Sequence, residues 1–479
     1  MRSWSRSLLA AAIALVLLAA CPPRAAVSQA PGGAAPGGAA PGGAAPGGGG
    51  GGGVFDVRWV LQAGSVGEQT SERVAVDAAG AVLWAGHFEG VVSFAEGSTF
   101  DADTDTDGFV ARISPAGETL WARWVAGRLV RMTGLAAAPS GGSVLAGRFR
   151  DAIEVTGTDV AAQATPDQWE AFMLALDADG GASWLAHHGG DGKPLPTAVA
   201  VDADGSLLLT GHIVGALDFG CGTVTSTPTA SADLFLARFG PDQSCQWSAM
   251  TGSKGAETWA VIAVDPSSGE ITQLGQRCAT ACGGALLRRL YASGTPRWER
   301  PIAAEITPRR RAIAIDLQGG VVIAGGLSNS GLAGLGCDIP TAAGDRAFVA
   351  RIDRDGVCHL ARAFGGGGAH AAAAVGVAPS GAVFLAGVVS GQLDLGGGHV
   401  LDGGIDGAIF WAELDEDGAA KRADLFPHTG DLASLDVAGL AVGAGLVAVA
   451  GSFSGQLRLG SHTLDSAGDI DAFVAAFGP

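Results

Sequence analysis

A unit of about sixty residues returns seven times between residues 73 and 479, and this recurrence restricts the fold more than any single residue does. The first copy opens with Val74-Ala-Val-Asp77-Ala-Ala-Gly-Ala-Val-Leu-Trp-Ala-Gly86. Related openings start at Val199, Ala312 and Val375 and end at Gly211, Gly325 and Gly387, and looser ones begin at Leu135, Val261 and Leu440. Each copy has the same grammar. An alternating run ends at Asp or an equivalent, a Gly-containing turn follows, and a second run closes on Ala-Gly. After a variable connection comes a third run, such as Phe109-Val-Ala-Arg-Ile113, Phe172-Met-Leu-Ala-Leu176 or Phe348-Val-Ala-Arg-Ile352. A tight turn then leads to a fourth, such as Gly117-Glu-Thr-Leu-Trp121.

Period-two alternation, β-branched and aromatic residues and short Gly turns predict antiparallel hairpins. Seven copies of four short strands predict an all-β fold, a seven-bladed β-propeller of four-stranded antiparallel blades around a central channel. A β-solenoid competes less well, because its coils are shorter and need capping units. The glycines and alanines closing the second strands are expected near the crowded axis. Asp471-Ala-Phe-Val-Ala-Ala-Phe477 reads as a third strand with no fourth after it, while Phe55-Asp-Val-Arg-Trp59-Val-Leu61 reads as a fourth strand ahead of the first unit. Their pairing predicts a last blade closed by the N-terminal strand, which removes an open sheet edge. Trp59, Trp84, Trp121, Trp184, Trp247 and Trp298, with Phe109, Phe235, Phe348 and Phe473, recur at matched positions and are expected to pack between blades.

Ahead of the repeats the composition changes. Arg2 and Arg6 precede an apolar run from Leu8 to Leu18 that is too short to span a bilayer, and Leu18-Ala-Ala-Cys21 resembles the lipobox of bacterial lipoproteins. The resemblance implies a signal peptide over residues 1–20 and lipidation of Cys21, with acyl chains such as palmitate as the membrane anchor. Pro22 after the cysteine implies outer-membrane placement, facing periplasm or cell surface. Residues 21–53 carry Pro31-Gly-Gly-Ala-Ala35 and its repeats, a composition that cannot build a core and is expected to act as a disordered tether. The propeller is expected over residues 54–479.

All 47 acidic residues lie beyond residue 53 with only 26 of the 29 basic ones, a net charge of −21 for that part. Such a surface disfavours nucleic acid. With Cys21 assigned to lipid, six cysteines remain. Cys245 and Cys358 each lie ten residues after a third-strand Phe, and Cys221 and Cys337 each follow a second strand. The matched register predicts disulfides Cys221–Cys245 and Cys337–Cys358, leaving Cys278 with Cys282. Zinc is the weaker reading, since Cys278-x-x-x-Cys282 has no second local pair.

Asp101, Asp103, Asp105 and Asp107 alternate ahead of Gly108 and resemble the start of a calcium loop. Counting from Asp103, however, the twelfth position is Ser114, so a solvated turn competes with a calcium site. No other cofactor is expected. His87 and His212 occupy matched positions after the second-strand glycine, and the variation there (Arg148, Gly326, Val388, Ser452) predicts solvent-facing rim residues. Nucleophile elbows and phosphate-binding glycine loops are missing, so no catalytic residue is assigned.

The pattern Val-x-Val-Asp-x-x-Gly-x-Val-x-x-x-Gly, followed by Phe-x-Gly and Asp-x-Phe-Val-Ala-Arg, resembles a bacterial β-propeller repeat family. It is visible at Val74 to Gly90 with Asp107 to Arg112, and at Val199 to Gly220 with Asp233 to Arg238; blade four, with Ile271-Thr-Gln-Leu-Gly-Gln-Arg277, departs furthest. Similar repeats occur in surface lipoproteins of myxobacteria and related bacteria, most without an assigned activity. The repeat is specific for fold and nearly silent on activity; the leading expectation is a monomeric, non-catalytic binding or scaffolding lipoprotein of the outer envelope, with a protein or glycan partner. The alternative is an exported hydrolase or lyase with a loop-lined site at the central channel.

Overall fold

The Asp that ends the first run of a repeat builds the turn that follows it. Asp77 Oδ1 accepts the backbone N–H of Ala79 and Ala81, each at 2.9 Å, and Gly80 takes the left-handed conformation needed to reverse the chain. Asp316 does the same for Gln318 and Gly320. In the computed structural model these turns join four-stranded antiparallel sheets. The described residues are 55–478 except 95–96, 103–105, 228–230, 254, 279–283, 305, 366–367 and 444, with the side chains of 307–311 also outside the description. The signal peptide, Cys21 and the tether expected before residue 54 lie outside them.

Seven blades follow. Blade 1 runs Gln69–Val76, Val82–Phe88, Asp107–Ile113, Thr119–Gly127, and blade 2 runs Arg131–Ala137, Ser143–Arg150, Trp169–Leu176, Ala182–His188. Blade 3 is Lys193–Val201, Leu207–Val214, Asp233–Phe239, Cys245–Thr251, and blade 4 is Ala260–Val264, Ile271–Arg277, Gly284–Leu290, Pro296–Ile302. Blade 5 is Ile306–Ile315, Val321–Ser328, Asp345–Ile352, Cys358–Phe364, and blade 6 is His370–Val377, Val383–Val389, Ala408–Leu414, Ala420–Thr429. Blade 7 takes Asp436–Gly443, Leu446–Phe453 and Asp471–Phe477 from the C-terminal end and its fourth strand, Val57–Ala63, from the N-terminal end. The closing strand sits two residues later than its expected start. Trp59 pairs with Ala476 and Ala63 with Ala472.

First strands of neighbouring blades touch all the way round, from blade 1 to blade 2 and finally from blade 7 back to blade 1, so the ring is closed and the first strands are innermost. Most first strands carry a bulge, for example between Ser71 and Arg73, Met132 and Gly134, and Pro196 and Ala198. The skipped residues stitch the ring. Thr133 Oγ1 donates to the Pro196 carbonyl at 2.7 Å, and Thr197 Oγ1 donates to the equivalent carbonyl of Ala260 at 2.8 Å.

Packing between blades is apolar, as the recurring aromatics predict. Phe109, Phe235, Phe348 and Phe473 are fully buried and Trp84 nearly so. The second-strand glycine, however, lies one strand away from the axis, and its cause is the close approach of the first-strand backbone together with a third-strand ring. A Cβ at Gly86 would collide with the Thr70 carbonyl oxygen, and one at Gly387 with that of Ala371. A Cβ at Gly86 would stand 2.6 Å from atoms of Phe109, and one at Gly387 would stand 2.7 Å from Phe410. Connections between second and third strands form small hairpins that reach back to the preceding blade. That of blade 2, Ala152–Val155 with Ala161–Gln163, joins the outer strand of blade 1, and that of blade 7, Gln456–Leu459 with His462–Asp465, joins the outer strand of blade 6.

Candidate functional site

Repeat positions that every blade fills in the same way hold the ring together, so a functional site is sought where one blade departs. The Asp and Arg of the repeat are a structural pair shared by four blades. Arg112 pairs with Asp77 at 2.6 Å, Arg238 with Asp202 at 2.8 Å, Arg289 with Asp265 at 2.9 Å and Arg351 with Asp316 at 3.2 Å. Blades 2, 6 and 7 lack both members, with Ala138 and Ala175 in the first, Ala378 and Glu413 in the second and Gly443 and Ala476 in the third. The two residues are present together or absent together, as a buried ion pair requires.

Blade 4 breaks a different set of positions. Where six blades place Phe109, Phe172, Phe235, Phe348, Phe410 and Phe473, it has Leu286. Two residues on, where the others have Ala or Leu, it has Arg288. At the second-strand position filled elsewhere by Trp84, Leu145, Leu209, Ile323, Leu385 or Val449, it has Gln273. The facing residue of blade 3 changes too, Thr210 standing where other blades mostly have Ala.

These departures meet. Thr210 Oγ1 donates to the Phe235 carbonyl at 2.8 Å, Gln273 Nε2 donates to Thr210 Oγ1 at 2.7 Å, and Arg288 Nε donates to Gln273 Oε1 at 2.7 Å. Glu299 lies directly across the strand pair from Arg288. Burial holds the Arg288 guanidinium below its ordinary value, against the opposing pull of the Glu299 charge. Among the described residues the apolar layer between blades 3 and 4 shrinks to Leu208, Leu236, Ile262, Ile271 and Leu290, whereas each other junction buries thirteen or more such residues.

Loss of the phenyl ring leaves space. A cavity of ≈ 140 Å³ opens between the blades, lined by Leu234, Thr251 and Ser253 from blade 3 and its exit, Glu257, and Gln273, Gln276, Arg277, Leu286 and Glu299 from blade 4. Glu257 is engaged by the backbone N–H of Ser253 and of Cys278, at 3.2 and 3.0 Å. Amide and guanidinium donors, an exposed carboxylate and two leucine walls suit a polar group of about six non-hydrogen atoms. The sequence signal for this site was the divergent segment Ile271 to Arg277; the meaning of Leu286 and Arg288 emerges only when the third strands are superposed blade on blade.

The other expected residues fall as follows. Cys221 with Cys245, and Cys337 with Cys358, form disulfides with Cα separations of 5.4 and 5.7 Å, each tying a second-to-third connection to the outer strand of its own blade. Cys278 is buried, and Cys282 lies outside the described residues. Asp103 and Asp105 are also outside them. Asp101 is exposed on a short strand, while Asp107 is buried and accepts the Trp124 indole N–H at 2.7 Å and the Gly127 N–H at 3.1 Å. Among the described residues no group of three or more His, Cys, Asp or Glu is arranged to hold a metal ion.

His87 is not a rim residue. It is 5% exposed, its Nε2 accepts the Met132 N–H at 2.6 Å, and its Nδ1 stands 3.4 Å from Glu72. Burial opposes ionisation of Glu72, yet His87, Arg73 and Arg131 together hold its carboxyl below the ordinary value. Arg73 extends from blade 1 past blade 2 and donates to the Thr197 carbonyl of blade 3 at 3.1 Å.

No family model and no curated protein matches the chain. Solved structures similar to it include hydrazine synthase of Kuenenia stuttgartiensis, 9% identical, with 78% of this chain and 91% of that chain covered and a TM-score of 0.43. The Dos1 propeller is 10% identical over 88% and 95% of the two chains at a TM-score of 0.40. The leech intramolecular trans-sialidase is 8% identical over 82% and 90% at 0.38.

Proposed function

We propose that this chain is a non-catalytic binding lipoprotein of the bacterial outer envelope, related to the propeller-repeat surface lipoproteins of myxobacteria. Acylation at Cys21 anchors it, the Pro/Gly/Ala tether carries the ring clear of the bilayer, and the junction of blades 3 and 4 holds a polar group of its ligand. The observation that carries this reading is the concerted replacement of core by Thr210, Gln273, Leu286 and Arg288, of which Gln273 and Leu286 line a cavity of ≈ 140 Å³. A chain that keeps an apolar junction everywhere else gains nothing in stability from that exchange.

Leu286→Phe tests the pocket by restoring the ring that other blades carry. Melting of the parent and the variant is followed against a panel of monosaccharides and amino acids. A compound that raises the parent's melting temperature and leaves Leu286→Phe unmoved is the expected result; a panel that never separates the two proteins counts against the pocket. Anchoring is tested apart from binding. Cys21→Ala is expected to abolish labelling by an alkynyl palmitate analogue and to release the protein from the membrane fraction.

A further inference from the structure

Arg131, at the start of the innermost strand of blade 2, is the direct cross-strand partner of Arg148 on the second strand. Like charges placed opposite one another in an antiparallel pair are destabilising. Here the two half-buried guanidinium groups have no hydrogen bond and no ion pair to any described residue, although the chain carries a net charge of −18. Glu72 feels the charge of Arg131, but its nearest partner is His87 of its own blade. Arg148 is held in place from the other side by the ring of Trp169, whose centroid lies 4.2 Å from its guanidinium carbon. Its Nε is buried without an acceptor. Burial and the Arg131 charge hold Arg148 below the ordinary arginine value, as an uncompensated cation requires.

No other blade repeats the arrangement. The positions equivalent to Arg148 are His87, His212, Gln276, Gly326, Val388 and Ser452, and no equivalent cross-strand partner is a second arginine beside an arginine. Two cations facing each other in a protein rich in carboxylates, with one of them fixed by an indole, form a preorganised receptor for negative charge.

We propose that Arg131 and Arg148, with Trp169 as the support, bind a tetrahedral dianion, a phosphate or sulfate group. Two guanidinium groups match two negative charges, and their forks supply several donors to oxygens of one centre. This site is separate from the cavity between blades 3 and 4, and either assignment can fail without the other.

The test uses the full propeller, with melting measured at constant ionic strength in sodium chloride while inorganic phosphate, inorganic sulfate, glucose 6-phosphate or acetate replaces part of the chloride. At about a hundredfold excess over Kd the dianions are expected to raise the melting temperature by roughly 3–5 °C. Arg148→Gln is expected to melt at or above the parent without dianion, because the repulsion is gone, and to lose most of the dianion response. Arg131→Gln, which leaves the Trp169 stack intact, is expected to behave likewise. Equal dianion shifts in parent and both variants would reduce the effect to general salting and overturn the site. An acetate shift as large as that of phosphate would overturn the dianion assignment. The ratio of the glucose 6-phosphate and inorganic phosphate affinities identifies the source, an ester when it exceeds tenfold and the free anion when it is near one.

Discussion

The indole N–H of Trp59 donates to the carbonyl oxygen of Pro115 at 3.1 Å, across the junction between blades 7 and 1. Its ring also lies on the turn that carries that carbonyl, where a Cβ at Gly117 would stand 2.6 Å from the indole. The same latch recurs from Trp121 to Ala178 at 2.9 Å, from Trp247 to Ala292 at 3.0 Å and from Trp298 to Arg354 at 2.9 Å. Gly180, Gly294 and Gly356 lie beneath those rings, all with positive φ. An outer-strand tryptophan therefore clasps the next blade's turn, and the N-terminal strand contributes the clasp that closes the circle.

Trp59→Phe keeps the packing and removes the hydrogen bond, so a loss of about 1 kcal/mol is expected. Trp59→Ala removes a nearly buried ring and is expected to cost roughly 3–5 kcal/mol. Deleting residues 54–63 exposes the edge of Asp471–Phe477 and should bring both a lower melting temperature and association through that strand. Chemical denaturation and sedimentation of the three proteins check the series. A deletion that melts within a degree or two of the parent and stays monomeric would refute closure by this strand.

Arg289 is the most enclosed arginine among the described residues. Its side chain is fully buried, with Nη2 2.9 Å from Asp265, Nε 2.9 Å from Glu270, and Nη1 donating to the Gly319 carbonyl of blade 5. Arg289→Met leaves the buried Asp265 without a cation, while Glu270 keeps Arg297 and Arg354, and is expected to cost about 3 kcal/mol. Arg351→Met is expected to cost about 1 kcal/mol, because Arg351 is 31% exposed at its pair with Asp316. Urea titrations of both variants measure the contrast. Equal losses at the two sites would show that burial does not set the worth of the pair.

The repeat grammar made the fold legible because each element carried a local physical cause: alternation for strands, Asp and Gly for turns, and a spare run at each end for closure. Matched register also made the Cys221–Cys245 and Cys337–Cys358 bridges legible. Partnerships across blade boundaries were not. Arg131 and Arg148 become neighbours only once the strand register is known, and Gln273 looks like a weak repeat until Thr210 and Arg288 are seen to bond to it. His87 was misread for the same reason. Variation across the blades resembles exposure in a list of residues, while in the ring each side chain faces a different neighbouring blade, and for His87 that neighbour supplies the Met132 N–H.

Each disulfide closes a short loop, with sequence separations of 24 and 21 residues. Restriction of the unfolded chain predicts roughly 3 kcal/mol from each bridge. Cys221→Ser with Cys245→Ser, and Cys337→Ser with Cys358→Ser, should therefore each lower the denaturation midpoint under oxidising conditions, while the slope stays similar. Under reducing conditions all three proteins should converge. A parent that is insensitive to reductant would show that the bridges add nothing to stability.

His188 sets a pH dependence with a definite sign. It lies between the rings of Phe219 and Phe239, each centroid 5.4 Å away, and burial, aided by the neighbouring His187 charge, pushes its pKa from 6.5 down to about 4. The folded state therefore binds a proton less readily than the unfolded state. Stability is fully present above about pH 6.5 and is lost as the pH falls toward 4, by up to roughly 3 kcal/mol. The carboxylates of Asp265 and Glu270 resist burial's upward push through their hydrogen bonds and are held low, so their losses fall below this window. His370, also held low by burial, contributes to the same window in any variant that retains it. His188→Phe suits the aromatic surroundings and removes one titrating group. Between pH 6.5 and 4.5 its stability curve should be flatter than the parent's, with no loss at pH 7. Urea midpoints at half-unit pH steps decide the matter, and parallel curves for the two proteins would rule out His188 as the source.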